Sequence, residues 1–168
     1  MRLTKQYAYG LLASASEDLY MPIYHELQKM NEILENEPEY VNILEFDIEE
    51  FKQFRELLKD DFQPLLINFL EVLAEDGLLN RLDTIVEDYQ FGLIEANVLY
   101  EAEISSASPL SSEFKEKIKS FIGQRWGENY LLDYQVDNKL IGGIRLKIND
   151  AIIDTTFRSR INQILREV

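Results

Sequence analysis

The chain has 168 residues, 46% of them hydrophobic, which suits one globular domain or two small ones. It contains no cysteine, so a disulfide framework, a thiol nucleophile and a thiolate metal site are excluded. The net charge of −14 lies entirely in residues 1–98. Such a negative field repels nucleic acid and anionic lipid and attracts cationic surfaces. The alternative explanation is that the acidic surface serves only solubility.

Residues 1–97 show the periodicity of helices. Apolar residues recur at i+3 and i+4, and the breaks between these runs predict a compact all-α bundle of six helices. Pro22 and Pro64 suit first helical turns, Asp47 and Asn80 are predicted N-caps, and Gly77 is a predicted helix stop. The predicted apolar stripes are Leu3, Tyr7, Leu11 and Ala15; Ile23, Leu27, Met30 and Leu34; Phe51, Phe54 and Leu58; and Leu82, Ile85, Val86, Tyr89 and Leu93.

At Val98 the apolar period changes to two, which is typical of strands. A strand is predicted from Val98 to Ile104, followed by a helix that Ser111 or Ser112 caps. Two more strands are predicted at 130–136 and 144–148. A last helix, capped by Asp154, would have the inward residues Phe157, Ile161, Ile164 and Leu165. Residues 98–168 are therefore predicted to form a small α+β domain, although no Pro- or Gly-rich linker marks the boundary.

The connection between the two later strands carries Gly142 and Gly143. Such a pair permits a positive φ or a bulge, and it leaves a patch without side chains where another backbone can come close. Taken alone, the pair most simply predicts an ordinary hairpin turn.

Residues that would carry enzymatic chemistry are scarce. No phosphate-binding glycine motif is present, and His25 is the only histidine. Asp137, Asp150 and Asp154 offer oxygen ligands to a metal, but turn and cap roles explain them more simply. The longest stretch without a charged residue, Gln6–Ser16, is shorter than the roughly 18 apolar residues of a bilayer span. We expect no catalytic residue, cofactor, metal or membrane insertion, and the first residues lack the pattern of a signal or transit peptide.

Several segments, in order along almost the whole chain, are similar to the delta subunit family of F-type ATP synthases, whose mitochondrial member is the oligomycin-sensitivity-conferring protein. The segments that carry the resemblance are Tyr7–Leu11, Asn68–Gly77, Ile85–Tyr89, Ser106–Ser111 and Val136–Asp154. The chain departs from the family pattern at Gly10, where alanine is usual, at Leu78, where arginine is usual, and at Thr155-Thr156, where Gly-Ser is usual.

The resemblance implies a non-catalytic stator subunit that links the catalytic head to the peripheral stalk, resists rotor torque and so supports proton-driven ATP synthesis. It implies that residues 1–97 bind the N-terminal helices of the alpha subunits and that residues 98–168 bind the b subunits. The candidate alpha-binding residues are Tyr7, Leu11, Ala15, Leu66, Phe69, Leu70 and Leu73, of which about half are expected in the bundle core. The candidate stalk-binding residues are Ile141, Gly142, Gly143 and Arg158.

Two other interpretations remain open at this point. A free-standing adaptor would use the same groove for another helical ligand. A small hydrolase or transferase relying on carboxylates is disfavoured by the missing nucleophile, base and cofactor motifs. With the family interpretation, we expect a chain that is monomeric on its own, binds no nucleic acid and lies at the cytoplasmic face of a bacterial cell membrane.

Overall fold

The computed structural model describes residues 2–156, and the chain divides into two units, Met1–Ala96 and Asn97–Val168. The first unit is helical and the second combines a helix with a sheet, so the predicted sequence of a helical region followed by an α+β region is confirmed. The predicted last helix lies outside the described residues. Among residues 2–156, no helix combines the length and the apolar character needed to cross a bilayer.

The helices of the first unit begin and end close to the predicted signals. They are α1 (Leu3–Ser14), α2 (Tyr20–Glu35), α3 (Pro38–Phe46), α4 (Ile48–Leu58), α5 (Pro64–Glu75) and α6 (Leu82–Glu95), with short 3₁₀ turns at Glu17–Leu19 and Leu79–Arg81. The Asp47 carboxylate accepts from the backbone N–H of Glu49 at 2.9 Å, as an N-cap does. Gly77 ends α5 at φ +65°, where the next N–H closes back onto the Leu73 carbonyl.

Asn80 does not cap α6, contrary to the prediction. The 3₁₀ turn at Leu79–Arg81 precedes this helix and moves its start to Leu82. The backbone N–H of Asn80 instead donates to the Glu45 carboxylate at 3.1 Å. A turn that tightens before a helix satisfies amide groups that a capping side chain would otherwise bind.

The second unit contains β1 (Tyr100–Ser106), α7 (Ser112–Trp126), β2 (Tyr130–Val136), β3 (Ile144–Ile148) and β4 (Ala151–Asp154). The strand order is β2-β1-β3-β4, with β2 parallel to β1 and the remaining pairs antiparallel. One face of the sheet packs against α7. The core between them consists of Ala102, Ile104, Ile118, Ile122, Leu146 and Ile148.

The hairpin expected at Gly142-Gly143 is not formed, because β1 lies between β2 and β3. The hairpin of this unit instead joins β3 to β4 through Asn149 and Asp150, with Asn149 at φ +45°. Asp154 accordingly ends a strand. Its carboxylate accepts from the Thr156 N–H at 2.9 Å and lies 3.5 Å from the Arg145 guanidinium.

Candidate functional site

A groove of about 530 Å³ runs between α1 and α5. Its α1 side is lined by Leu3, Gln6, Tyr7, Gly10, Leu11 and Ser14, and its α5 side by Leu65, Asn68, Phe69 and Val72. None of these side chains carries a formal charge. The α1/α5 groove is therefore an apolar channel with a few neutral polar groups, which is the form of surface that receives the apolar face of an amphipathic helix.

Helix α5 is apolar on two sides, and the structure assigns each side a different role. Leu66, Leu70 and Leu73 are fully buried in the core of the unit, while Leu65, Phe69 and Val72 face the groove. The predicted assignment of Leu66, Leu70 and Leu73 to the groove is therefore corrected, because their side chains have no free surface. Of the α5 candidates, Phe69 alone lines the groove.

Helix α1 supplies the floor and one wall of the groove. Leu11 is buried and lines the groove from below, while Leu3 is 52% exposed at its rim. A Cβ built on Gly10 meets no heavy atom within 4 Å, so this position leaves a notch in the wall. Ala15 follows the last residue of α1 as its C-cap and does not line the groove.

A hydrogen bond links the two helices that form the groove. The Tyr7 hydroxyl donates to the carboxylate of Asp76, the residue that follows α5, at 2.5 Å. This bond raises the pKa of the Tyr7 phenol above its ordinary value, because the charged acceptor stabilises the protonated donor. Tyr7 therefore lines one wall of the groove and also connects α1 to the C-terminal end of α5.

The α1 wall is held in place by α6. Arg2 forms an ion pair with the buried Asp88 at 2.8 Å, and the Lys5 ammonium lies 4.5 Å from the centre of the Phe91 ring. Gly92 lets the helices approach, since a Cβ there would lie 3.0 Å from the side chain of Leu12. Burial acts to raise the pKa of the Asp88 carboxyl, but hydrogen bonds and the nearby positive charge hold it below its ordinary value.

Outside the groove the first unit is acidic. Residues 1–96 hold 21 acidic and 7 basic side chains. An apolar groove in such a field favours a helix whose polar face carries lysine or arginine, since the charge steers the encounter while apolar contacts supply most of the affinity.

In the second unit, the candidate stalk residues follow β2. Ile141 is 77% exposed, beside the half-buried Gly142. A Cβ on Gly143 would lie 2.6 Å from the carbonyl oxygen of Thr155, so the close backbone approach expected at this glycine comes from the chain itself. Arg158 lies outside the described residues.

The residues considered for metal binding or acid–base chemistry have simple structural surroundings. His25 is exposed on α2, and the Asp137 carboxylate accepts from the Lys139 N–H at 2.9 Å in a turn. Within residues 2–156, no three His, Asp or Glu side chains are grouped so that they could share a metal ion. The feature of the described residues that is suited to binding a partner is the α1/α5 groove.

The candidates chosen from the sequence did not include the groove residues Leu3, Gln6, Gly10, Ser14, Leu65, Asn68 and Val72. Leu3 belongs only to the first predicted apolar stripe, while Leu65 and Val72 lie one position away from the α5 candidates Leu66 and Leu73. The available signal was the width of the apolar surface on α5, which exceeds the stripe that one core contact requires.

Comparison with known proteins places this geometry in context. Residues 3–168 match the family model described as ATP synthase delta (OSCP) subunit. The chain is 29% identical over 167 residues to a protein of Desulfatibacillum aliphaticivorans named ATP synthase subunit delta, with 96% of this chain and 91% of that protein covered. A protein of the same name from Clostridium botulinum strain Langeland is 26% identical over 167 residues, with 96% and 93% covered.

The fold also has a counterpart among solved structures. A chain from the cryo-EM structure of the Toxoplasma gondii mitochondrial ATP synthase hexamer superposes with a TM-score of 0.57. The match covers 99% of this chain and 97% of that chain at 16% sequence identity. At this identity the likeness concerns the fold alone.

Proposed function

Because the chain belongs to the ATP synthase delta (OSCP) subunit family, we propose that its α1/α5 groove binds an N-terminal helix of an alpha subunit. Family membership makes the chain a non-catalytic stator subunit of the peripheral stalk of an F-type ATP synthase, as the resemblance in the sequence implied. The proposal adds the partner of each unit and the residues that bind it.

The observation that carries the proposal is a formed apolar groove on an acidic helical unit. Its length is set by the 12-residue helices α1 and α5, so it offers contact to about three turns of a bound helix. Phe69 and Val72 provide one wall, Leu3 the other and Leu11 the floor. Anchors at i, i+3, i+4 and i+7 of an amphipathic helix fit such a surface.

For the second unit, we propose binding to the b subunits through the segment after β2. The exposed Ile141 is the leading contact, because a large apolar side chain there gains most from burial. Gly142 lies beside it, and Gly143 lets residues 155–156 pack under the segment. Arg158 stays a sequence-based candidate for the same interface.

In this arrangement the chain acts as a mechanical clamp. Proton-driven rotation exerts torque on the catalytic head, which would turn with the rotor unless the six-helix unit and the α+β unit held it to the stalk. A nanomolar Kd corresponds to about 12 kcal/mol, which a helix in a groove together with a second interface can supply. The chain would work at the cytoplasmic face of a bacterial cell membrane, peripheral to it.

The test is calorimetric titration of the full chain with a peptide of the cognate alpha subunit's N-terminus. Val72→Ser should weaken binding about tenfold, since it removes an apolar contact in the groove wall. Ile33→Ser on α2 is the matched control, because Ile33 and Val72 are 42% and 43% exposed and Ile33 does not line the groove. Equal losses in both variants, or no binding by the unmodified chain at about 100 µM, would refute the assignment of this groove.

The free-standing adaptor considered from the sequence alone does not fit membership of this family. The partner of each unit is tested by pull-down of the full chain from cells that express the whole complex. Recovery of alpha and b subunits is the expected result, and their absence would refute the assigned partners.

A further inference from the structure

A second exposed apolar surface of the first unit, which we term the α3–α4 corner, lies where α3 meets α4. It consists of Ile43, Phe46 and Ile48 and shares no lining residue with the α1/α5 groove. Phe46 is 88% exposed, the highest value among the exposed large apolar side chains of the described residues. A small cavity of about 140 Å³ opens beside it, against α5.

Phe46 is the last residue of α3, and the fold gains little from its side chain. It precedes the N-cap Asp47, from which position a hydrophobic staple would pack on Phe51, but the exposure of Phe46 shows that its ring is not packed in this way. Phe51 is already buried and makes an edge contact with Phe54. Phe46 therefore lies where α3 meets α4 with almost all of its ring available for another molecule.

The surroundings of the corner are strongly acidic. Residues 37–61 contain nine acidic and three basic side chains. The three basic ones, Lys52, Arg55 and Lys59, are each paired with a glutamate. The cavity itself is lined by Glu45, which is one of these nine, and by two more carboxylates of Glu71 and Glu75, together with apolar groups. This field attracts a cationic partner and repels anionic lipid, nucleic acid and a second copy of the chain.

The size of the cavity indicates how much of a partner enters it. Small-molecule sites usually enclose about 300–1,000 Å³, whereas this cavity is less than half the lower value. A single aliphatic side chain fits it better than a whole ligand does. Phe46 and Ile48 then form the apolar border that such a side chain covers on insertion.

We propose that the α3–α4 corner is a docking surface for a basic amphipathic segment of a neighbouring protein subunit. One aliphatic side chain of that segment enters the cavity beside Phe46, and flanking lysine or arginine residues face Glu45 and Glu75. This surface is separate from the α1/α5 groove. The acidic first unit would therefore have two binding sites, each of which takes a basic amphipathic segment.

The test is NMR titration of the ¹⁵N-labelled full chain with two acetylated 14-residue peptides of identical apolar pattern, one of leucine and lysine and one of leucine and glutamate. The lysine peptide should shift the amide signals of Phe46, Ile48 and Glu75, and the glutamate peptide should not. Phe46→Ser should weaken the lysine peptide at this surface about tenfold. Leu57→Ser is the control, since Leu57 is 75% exposed on α4 but does not line the cavity.

The lysine peptide can also enter the groove, and Val72→Ser separates the two sites. If the corner is a docking surface, its signals shift in the Val72→Ser protein as in the unmodified chain, whatever the outcome for the groove. Shifts confined to groove residues would overturn the proposal. Equal shifts with the glutamate peptide, or equal weakening by Phe46→Ser and Leu57→Ser, would overturn it as well.

Discussion

Replacing Gly10 should make the protein more stable and, with a large enough side chain, weaken the proposed binding of an alpha-subunit helix. Glycine inside a helix lowers stability by about 0.5–1 kcal/mol relative to alanine, because the glycine backbone has more conformational freedom in the unfolded chain and loses it on folding. A Cβ at Gly10 meets nothing within 4 Å, so no clash offsets the gain. Gly10→Ala should raise the free energy of unfolding by about 0.8 kcal/mol.

Urea unfolding followed by far-UV circular dichroism measures this change. With m-values of about 1–3 kcal/mol/M, a gain of 0.8 kcal/mol moves the midpoint upward by roughly 0.3–0.8 M. Gly10→Leu should be stabilised to a similar extent, since leucine ranks near alanine in helix propensity. Its side chain, however, extends into the groove of about 530 Å³ and takes up space that the partner needs.

The two variants therefore differ in binding. Gly10→Ala should keep the affinity for the alpha peptide within about threefold, while Gly10→Leu should lose at least about tenfold, or 1.4 kcal/mol. Gly123→Ala on α7 is the control, because its Cβ would meet only a Tyr130 ring carbon at 3.9 Å, in the other unit. Unchanged affinity in a folded Gly10→Leu protein would refute the assignment of the groove. Destabilisation by Gly10→Ala would refute the claim that a Cβ at this position meets no neighbouring atom.

Three further outcomes test other parts of the structure. Gly143→Ala should destabilise the second unit by about 1–3 kcal/mol, because Gly143 has φ +85° and a Cβ there would meet the Thr155 carbonyl. Urea unfolding followed by the fluorescence of Trp126 measures this loss. An unchanged unfolding midpoint would contradict the close approach of the backbone to Gly143. Asp47→Ala should cost about 1 kcal/mol through loss of the α4 N-cap, whereas Asp47→Asn, which can still cap, should cost little in the same urea assay. The Arg2–Asp88 pair should stabilise the fold above the ordinary carboxyl pKa and lose that effect as the pH falls through the lowered folded-state pKa. Arg2→Gln should therefore raise the pKa of Asp88 in an NMR titration, and an unchanged value would show that Arg2 does not hold it down.

Local periodicity was enough to predict the helices of the first unit, because each of them buries one stripe at helical spacing. Ile23, Leu27 and Met30 are fully buried, as their stripe predicts. The capping residue Asp47 and the stop at Gly77 also act locally, so they too could be read from the sequence.

The identity of the groove residues could not be read in the same way. Helix α5 carries apolar side chains at Leu65, Leu66, Phe69, Leu70 and Val72, and both of its faces fit a core-facing pattern. Which face lies in the core depends on the position of the neighbouring helices, and that is set by tertiary packing rather than by the helix itself. The α5 candidates therefore combine Phe69, which lines the groove, with Leu66, Leu70 and Leu73, which the core buries, and their role in binding a partner stays a prediction.

The strand order was beyond local patterns for a related reason. The alternation in residues 130–136 and 144–148 predicts both strands but contains no information about what lies between them. The strand β1 takes that place because its apolar face, with Ala102 and Ile104, completes the core under α7. The sequence did not predict the short β4. It has only four residues, and its last residue, Asp154, was interpreted as the N-cap of a following helix.

The central position of β1 has a consequence for how the second unit folds. Its partner residues lie 30 positions further along the chain in β2, where Tyr100 faces Tyr130, and 46 positions further in β3, where Ala102 faces Ile148. Long chain segments must close before either edge of β1 gains its hydrogen bonds, whereas the helices of the first unit form from near neighbours. During synthesis the first unit can complete its helices before β2 and β3 are available to pair with β1, so we expect the first unit to fold before the second.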